Sequence, residues 1–467
     1  MIADLKPYPE YKASGSSWLG VVPAKWEVRN LRTLISPRSE RDRADLPLLS
    51  VAREKGVFVR SLTDSDENHN VIPDDLTNYK VARAGNLIIN KMKAWQGSMG
   101  IAPCDGIVSP AYFVFDFRIG HRAFGQLLLR SKPYVAHFAQ ASDGVRVGQW
   151  DLSIPGMRQI PVLVPSAAEQ AAIVRFLHWA HGRLDRAIRA KQRVMALLNE
   201  QKQAIIHRAV TRGFDPSIPL KPSGIPRLRD IPQNWEVWSF VRCTLERADY
   251  RGATPEKVET GIFLVTAKNI RKGWIDYESS KEYVRVSEYS KIMRRGLPKK
   301  GDVLLTMEAP LGHFALIDRE DIALAQRIVR FRLHPERLLP EFALFCLNSP
   351  YFQDQLHERA TGSTAQGIKA SKLPQLLIAR PSVSEQETIV EHVRRECAPL
   401  DTVISRLDRE IDLLREYRTR LVADVVTGKL DVREPAARLP EDAAPGTSLD
   451  NVDATDETEA ADDERVV

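Results

Sequence analysis

The longest regular pattern in the chain lies near its C-terminal end. Val393, Leu400, Leu407, Leu414 and Leu421 fall at every seventh position, and Cys397, Ile404, Ile411 and Val425 fill the companion positions of the heptad. Such spacing places one apolar stripe on a helix and keeps it facing a partner helix. An earlier stretch has the same character: Leu177, Leu184, Leu198 and Ile205, with Ile188, Met195 and Ala209 beside them. Lys191 interrupts one of its rows, and Lys202 stands where the second stretch has Arg418; cations in a seam usually snorkel to water or set register. Pro399 lacks a backbone donor, which predicts a break there and a long helical section starting near Leu400. Neither stripe can be buried alone. The simplest solution is that the two helices, over 166–212 and 382–428, pack on each other as an antiparallel coiled coil, about 60 Å long for about 40 residues at 1.5 Å rise each. Pairing between two chains is the alternative.

Ahead of each helix the periodicity changes. Short β-rich runs at 86–90, 111–117, 303–307 and 328–333 are broken by glycine and proline, and helical stretches occupy 121–131 and 340–348. That mixture predicts a globular α/β domain before each helix. The two domains are copies. Pro23, Trp26, Glu27 and Val28 recur 209 positions later as Pro232, Trp235, Glu236 and Val237. Gly85-Asn86-Leu87-Ile88-Ile89 recurs 216 positions later as Gly301-Asp302-Val303-Leu304-Leu305. The same offset carries Pro165-Ser166 and Glu169-Gln170 onto Pro381-Ser382 and Glu385-Gln386, and Val210-Thr211 onto Val426-Thr427. Matches in this order imply two similar structural units, which with antiparallel helices gives a pseudo-two-fold axis. The first half ends in Thr211-Arg212-Gly213 instead of Thr427-Gly428-Lys429, which points to a different helix exit.

Composition narrows the class. A chain of 467 residues with 43% hydrophobic content holds two or three domains. The four cysteines (Cys104, Cys243, Cys346, Cys397) lack the spacing of a zinc site or a disulfide framework, so reduced thiols in a cytosolic protein are expected. No secretory leader and no apolar run of membrane-spanning length is legible, which points to a cytoplasmic location. The net charge of +6 is an average: residues 433–467 hold 11 acidic and 3 basic residues, a net −8, leaving +14 on the body. A body that positive suits a polyanionic partner, and the acidic 429–467 tail has the composition of a disordered segment.

Catalytic constellations are missing. Gly362 and Gly367 have the glycine spacing of a phosphate loop, but Ile368 and Lys369-Ala370 follow. There is no Asn-Pro-Pro-Tyr or Asp-Pro-Pro-Tyr run for methyl transfer. Glu10-Tyr11-Lys12 matches the end of a nuclease metal site only as letters, in a stretch where no strand is expected. His121, His181 and His207 are scattered. Neither a metal nor a cofactor is expected in this chain. Recognition remains. The Gly-bounded strand of each domain leads into a loop, and these carry the candidates Asn90, Lys91, Lys93, Trp95 and Gln96 in the first and Thr306 and Glu308 in the second. Further candidates are Arg146 and Gln149 in the first domain and Lys268, Asn269, Ser363, Thr364 and Gln366 in the second. Amides, carboxylates and cations read donor and acceptor patterns on base edges, while lysines hold phosphates. Different side chains at matching places suit two readers of different sequences; an ordinary loop with Trp95 and Met92 in the core is the bland alternative. Arg183, Arg186, Arg189 and Arg193 follow a helical spacing and form either a basic stripe toward DNA or a solvated face.

Over roughly 21–433 the chain resembles the specificity subunits of type I restriction-modification systems. The resemblance rests on Pro-x-x-Trp opening each half, on Ala94-Trp95-Gln96-Gly97-Ser98 followed by Asp105-Gly106-Ile107-Val108-Ser109-Pro110-Ala111-Tyr112, on the Pro-Ser-x-x-Glu-Gln start of both helices, and on Val426-Thr427-Gly428-Lys429-Leu430-Asp431-Val432. It implies an α+β chain with a leader (1–20), two target-recognition domains (21–165 and 231–381), spacer helices (166–212 and 382–428) joined by a linker (213–230), and the tail. It implies double-stranded DNA, two methyltransferase subunits and restriction/translocase subunits as partners, with S-adenosylmethionine, ATP and Mg2+ belonging to those partners. Two rival readings are a coiled-coil adaptor that never touches nucleic acid and a self-sufficient DNA methyltransferase or nuclease.

Overall fold

In each half of the chain a strand with every residue buried forms part of a four-stranded antiparallel sheet. Leu87–Asn90 lies between Tyr112–Phe117 and Met99–Ile101, and Ile35–Pro37 pairs with the far edge of Tyr112–Phe117. Val303–Thr306 lies between Ile328–Leu333 and Phe314–Leu316, with Thr244–Asp249 beyond Ile328–Leu333. Successive residues of a strand point to opposite faces, so a strand buried throughout must be covered on both. Leu87 and Ile89 enter one core and Ile88 another; Val303 and Leu305 are divided from Leu304 in the same way. One core of each pair is completed by the long helices. The other is covered by strands that differ between the copies: the hairpin of Leu49–Ala52 and Gly56–Val59 in the first, and the three strands Tyr283–Val284, Ile262–Val265 and Ile322–Leu324 in the second.

This computed structural model describes residues 5–60, 75–146, 149–250, 255–362 and 366–440, without the side chains of 145–149. They form two units. The first takes the described residues up to Lys191 and from Asp408 onward, and the second takes Gln192–Leu407. Each unit therefore contains a stretch of both long helices, Ala167–Arg212 and Val383–Val426. In the first, Lys191 Nζ meets Glu410 at 2.5 Å and Arg418 meets Asp185 at 3.0 Å, so the segments run antiparallel. In the second, Lys202 Nζ meets Asp401 at 2.5 Å, while Ile206, Ala209 and Val210 share a core with Ile389, Val390 and Val393. Leu177, Leu184 and Leu421 are buried, and Leu198, Ile205, Leu400, Leu407 and Leu414 are half-buried.

Two expectations are corrected. The second long helix is continuous through Pro399. An interior proline costs about 3 kcal/mol, but Val393 and Cys397 on one side and Leu400 and Ile404 on the other are held by packing, and the carbonyl left without a donor belongs to the exposed Arg395. The helix exits differ as expected: both pass through a glycine at positive φ, but Gly213 N donates to Ala209 O, whereas Gly428 N donates to Val425 O and Lys429 N to Asp424 O. Lastly, Tyr11–Ala13 is a strand paired with Val21–Pro23, where none was expected around Glu10-Tyr11-Lys12. Its counterpart in the second half pairs Leu220–Ile225 with Leu228–Pro232.

Candidate nucleic-acid interface

The repeated motifs form one device in each unit. Trp26 is buried, and its indole N–H donates to Glu169 Oε1 at 3.0 Å; Trp235 donates to Glu385 Oε1 at 2.8 Å. Ser166 and Ser382 accept the backbone N–H of those glutamates and cap the two helices. The neighbouring glutamine ties the helix start to the domain. Gln170 accepts from His121 N and donates to Pro165 O, while Gln386 accepts from Leu339 N and donates to Arg337 O and Pro381 O. The glycine ending the opposite helix packs on the same indole, Gly428 on Pro23 and Trp26 and Gly213 on Trp235. Each domain is thereby fixed to the start of one helix and the end of the other.

On this base the sheet presents its turns. After Leu87–Asn90, Asn90 Oδ1 accepts the N–H groups of Met92 (3.1 Å) and Lys93 (3.3 Å), which folds the turn and keeps the amide inside. The hairpin of Ser142–Arg146 and Gln149–Leu152 packs on that turn. Leu152 N donates to Lys91 O at 3.0 Å, Lys91 pairs with Asp151 at 2.5 Å, and the Trp95 ring lies 5.1 Å from Trp150. The second unit repeats the key bond 216 residues on, Ile368 N to Met307 O at 3.1 Å. There Thr306 is fully buried and accepts His313 N at 3.0 Å, and Glu308 pairs with Arg327 at 3.0 Å.

Among the candidates, then, Asn90, Thr306 and Asn269 face inward. Asn269 accepts Thr266 N and donates to Asp276 O and Ser280 O, each at 2.9 Å. Lys91, Trp95, Gln96 and Glu308 are half-buried at the turns, and Lys93, Lys268 and Gln366 are exposed. Ser363, Thr364 and the side chains of Arg146 and Gln149 lie outside the described residues. Sequence reasoning missed Trp150 and the exposed Trp274. Lys272-Gly273, a turn-forming pair directly before Trp274, is the signal that would have led to the second.

The copies also differ in charge beneath these turns. Asn86 bonds Asp116 at 3.0 Å in the first unit, whereas the matching Asp302 holds the buried Arg330 (2.8 Å) and Arg332 (2.9 Å) in the second. Burial would lower the Arg330 pKa, but Asp302 and Tyr250 outweigh it and raise it. On the first long helix Arg183, Arg186 and Arg189 are exposed in the first unit, with Arg183 over the Trp179 ring at 5.3 Å, and Arg193 is exposed in the second. His181, on the same helix, is held down to about 4 by burial, with the charges of Arg418 and His178 adding to it. A folded-state pKa below the ordinary histidine value of about 6.5 means that the unfolded chain takes up the proton first. Stability from this group is complete above pH 6.5 and is lost as pH falls toward 4. A His181→Gln variant is expected to flatten the fall in Tm between pH 7 and pH 5; an unchanged slope would show that other groups cause it.

Among the described residues no group of three His, Cys, Asp or Glu side chains is placed to hold a metal ion, and the four cysteines are free thiols. No described helix is long and apolar enough to cross a membrane.

A sequence model of the type I restriction modification DNA specificity domain matches residues 272–395. The chain is 23% identical over 285 residues to the type I restriction enzyme MjaVIII specificity subunit of Methanocaldococcus jannaschii, an alignment covering 59% of this chain and 63% of that protein. It is 25% identical over 99 residues to the StySPI specificity subunit of Salmonella potsdam, 21% of each chain. It thus matches just under two thirds of the first relative and about a fifth of the second. In fold it resembles a solved chain described under "Structural basis underlying complex assembly and conformational transition of the type I R-M system", with a TM-score of 0.59 at 16% identity over 88% of this chain and 99% of that one. The matched residues lie in the second copy of a domain that the chain carries twice and run into the start of the helix that follows it. The chain is thus similar to type I restriction-modification DNA specificity subunits, with the specificity-domain model matched over residues 272–395.

Proposed function

We propose that this chain selects the DNA target of a type I restriction-modification complex and is itself non-catalytic. The domains at 21–165 and 231–381 each read one half of a split, non-palindromic site, and the helices at 166–212 and 382–428 set the gap. Two methyltransferase subunits dock on it, and the restriction/translocase subunits join through them; S-adenosylmethionine, ATP and Mg2+ act in those partners. The observation that carries this reading is the bond from Leu152 N to Lys91 O and its copy from Ile368 N to Met307 O. One scaffold holds two turns in the same way while their side chains differ, Lys91-Met92-Lys93 against Met307-Glu308-Ala309. That is what reading two different half-sites from one ancestral domain requires.

Mapping methylated bases in host DNA with and without this chain tests it: one split motif should vanish on deletion. In vitro, affinity for duplex DNA should fall steeply with salt, because each neutralised phosphate releases counterions with a log–log slope of about −0.9. Lys93→Ala is expected to reduce that slope by about 0.9 without altering the selected sequence. Lys91→Ala should do less, since Asp151 already neutralises it. A rewritten motif in either lysine variant would reassign these residues to base reading, and salt-insensitive or absent binding would favour a protein adaptor.

A further inference from the structure

Trp274 is 57% exposed, more than any other aromatic side chain among the described residues. It closes a tight turn, Arg271-Lys272-Gly273-Trp274, in which Arg271 N donates to Trp274 O at 3.0 Å and the flanking Ile270 and Ile275 pair with each other. Ile270 and Ile275 are buried in the core beneath the turn, and Gly273, at φ +113°, has no atom within 4 Å of the side on which a side chain would sit, so one face of the turn is open to solvent.

The turn is rigidly braced. Gly273 N donates to Phe314 O at 2.7 Å, Asp276 N donates to Asn269 O at 2.7 Å, and His313 Nδ1 lies 2.9 Å from Ile270 O. Asn269 and His313 thus act from below, holding an indole in water that a core would otherwise take up. Three cations flank it in the chain, the exposed Lys268 and Lys272 and Arg271, which meets Asp276 at 3.4 Å.

We propose that the Arg271–Trp274 turn enters the major groove of duplex DNA, where the indole recognises a thymine in one half-site and Lys272 rests on a phosphate. This rests on the reading of the chain as a DNA specificity subunit. A two-stranded ribbon with its side chains is about 10 Å across, which suits a major groove of about 12 Å and not a minor groove of about 6 Å. The indole offers an apolar face and one N–H donor and no acceptor. In the major groove, thymine alone offers an apolar methyl group beside an acceptor, O4.

The test uses the purified full chain and selection from a randomised duplex pool at fixed salt. The wild type should select a split site. Trp274→Ala should lose preference at one or two T·A pairs of one half-site and bind the wild-type site about tenfold more weakly, with the other half-site unchanged. Lys272→Ala should weaken all sequences alike and reduce the salt slope by about 0.9. Replacing the thymine by uracil removes only the methyl group; it should weaken wild-type binding several-fold and leave Trp274→Ala unaffected, a readout that does not depend on how the variant folds. Unchanged selection and affinity in Trp274→Ala would overturn the proposal and leave the DNA reading intact. An effect confined to capture of a methyltransferase subunit would overturn it in favour of a protein contact. A wild-type chain that selects no sequence would overturn both readings.

Discussion

Replacing Asp302 with alanine is expected to destabilise the second unit by about 3–5 kcal/mol, the usual cost of leaving a buried charge without its partner, which for a unit of this size lowers Tm by on the order of 10 °C. The Arg330 side chain is 1% exposed, and its guanidinium meets Asp302 at 2.8 Å. Glu246, the other carboxylate within reach, lies at 3.3 Å and is half exposed, so it cannot replace Asp302. Asp302 also accepts the backbone N–H of Lys299 at 3.0 Å and binds Arg332, so the substitution loosens a turn and leaves the two cations to share the single carboxylate of Glu246. Asp302→Asn keeps an acceptor and should fall between the wild type and the alanine variant. Asn86→Ala, the matching change in the first unit, removes the bond to a partly exposed Asp116 and the one accepted from Arg83 N but unpairs no buried charge, and should cost about 1–2 kcal/mol. Thermal unfolding of the three variants checks this order. A Tm for Asp302→Ala within 1 °C of the wild type would mean that Arg330 finds another partner or reaches water.

The second large effect is functional. Removing one heptad from each long helix, at positions that keep Leu and Ile in the seam, is expected to shorten the gap in the recognised site and leave both half-sites unchanged. Seven residues at 1.5 Å each take away about 10 Å, or about three base pairs at 3.4 Å each. Seven residues lie close to two whole turns, so the domains are rotated by only about 20°. The deletion should avoid Lys191–Glu410, Arg418–Asp185 and Lys202–Asp401, the bridges that fix the helix register within the units. Methylation mapping reads the outcome directly. A change in half-site sequence with a constant gap would reject the division of labour between domains and helices.

The heptad stripes were legible because a repeat of seven is a local property of the chain, and the duplication was legible because two copies can be laid on each other without knowing either structure. The matching of Trp26 and Glu169 with Trp235 and Glu385 even marked which residues act together, although not that an indole donates to a carboxylate. Lys191 and Lys202 stood out as interruptions of the seam, but their partners Glu410 and Asp401 come from a helix about 200 residues away and carry no local mark. Pro399 misled for the complementary reason: a rule about one residue predicts a break, and packing on both sides of it overrides the rule. Asn90 and Thr306 are polar residues at strand ends and Asn269 is one in a short 3-10 turn, the profile of a base reader, yet each is turned inward to brace a turn.

From the amino-acid order alone came the twofold repeat, the two long helices, the α+β class and the absence of recognisable catalytic motifs. All of these rest on periodicity, composition or self-similarity, which short stretches of chain carry by themselves. The direction of each polar side chain, the continuity of the second helix and the exposure of Trp274 were decided only by tertiary structure. A turn amide or an indole takes its place according to which donors, acceptors and apolar surfaces arrive from distant segments, and those exist only once the chain is folded.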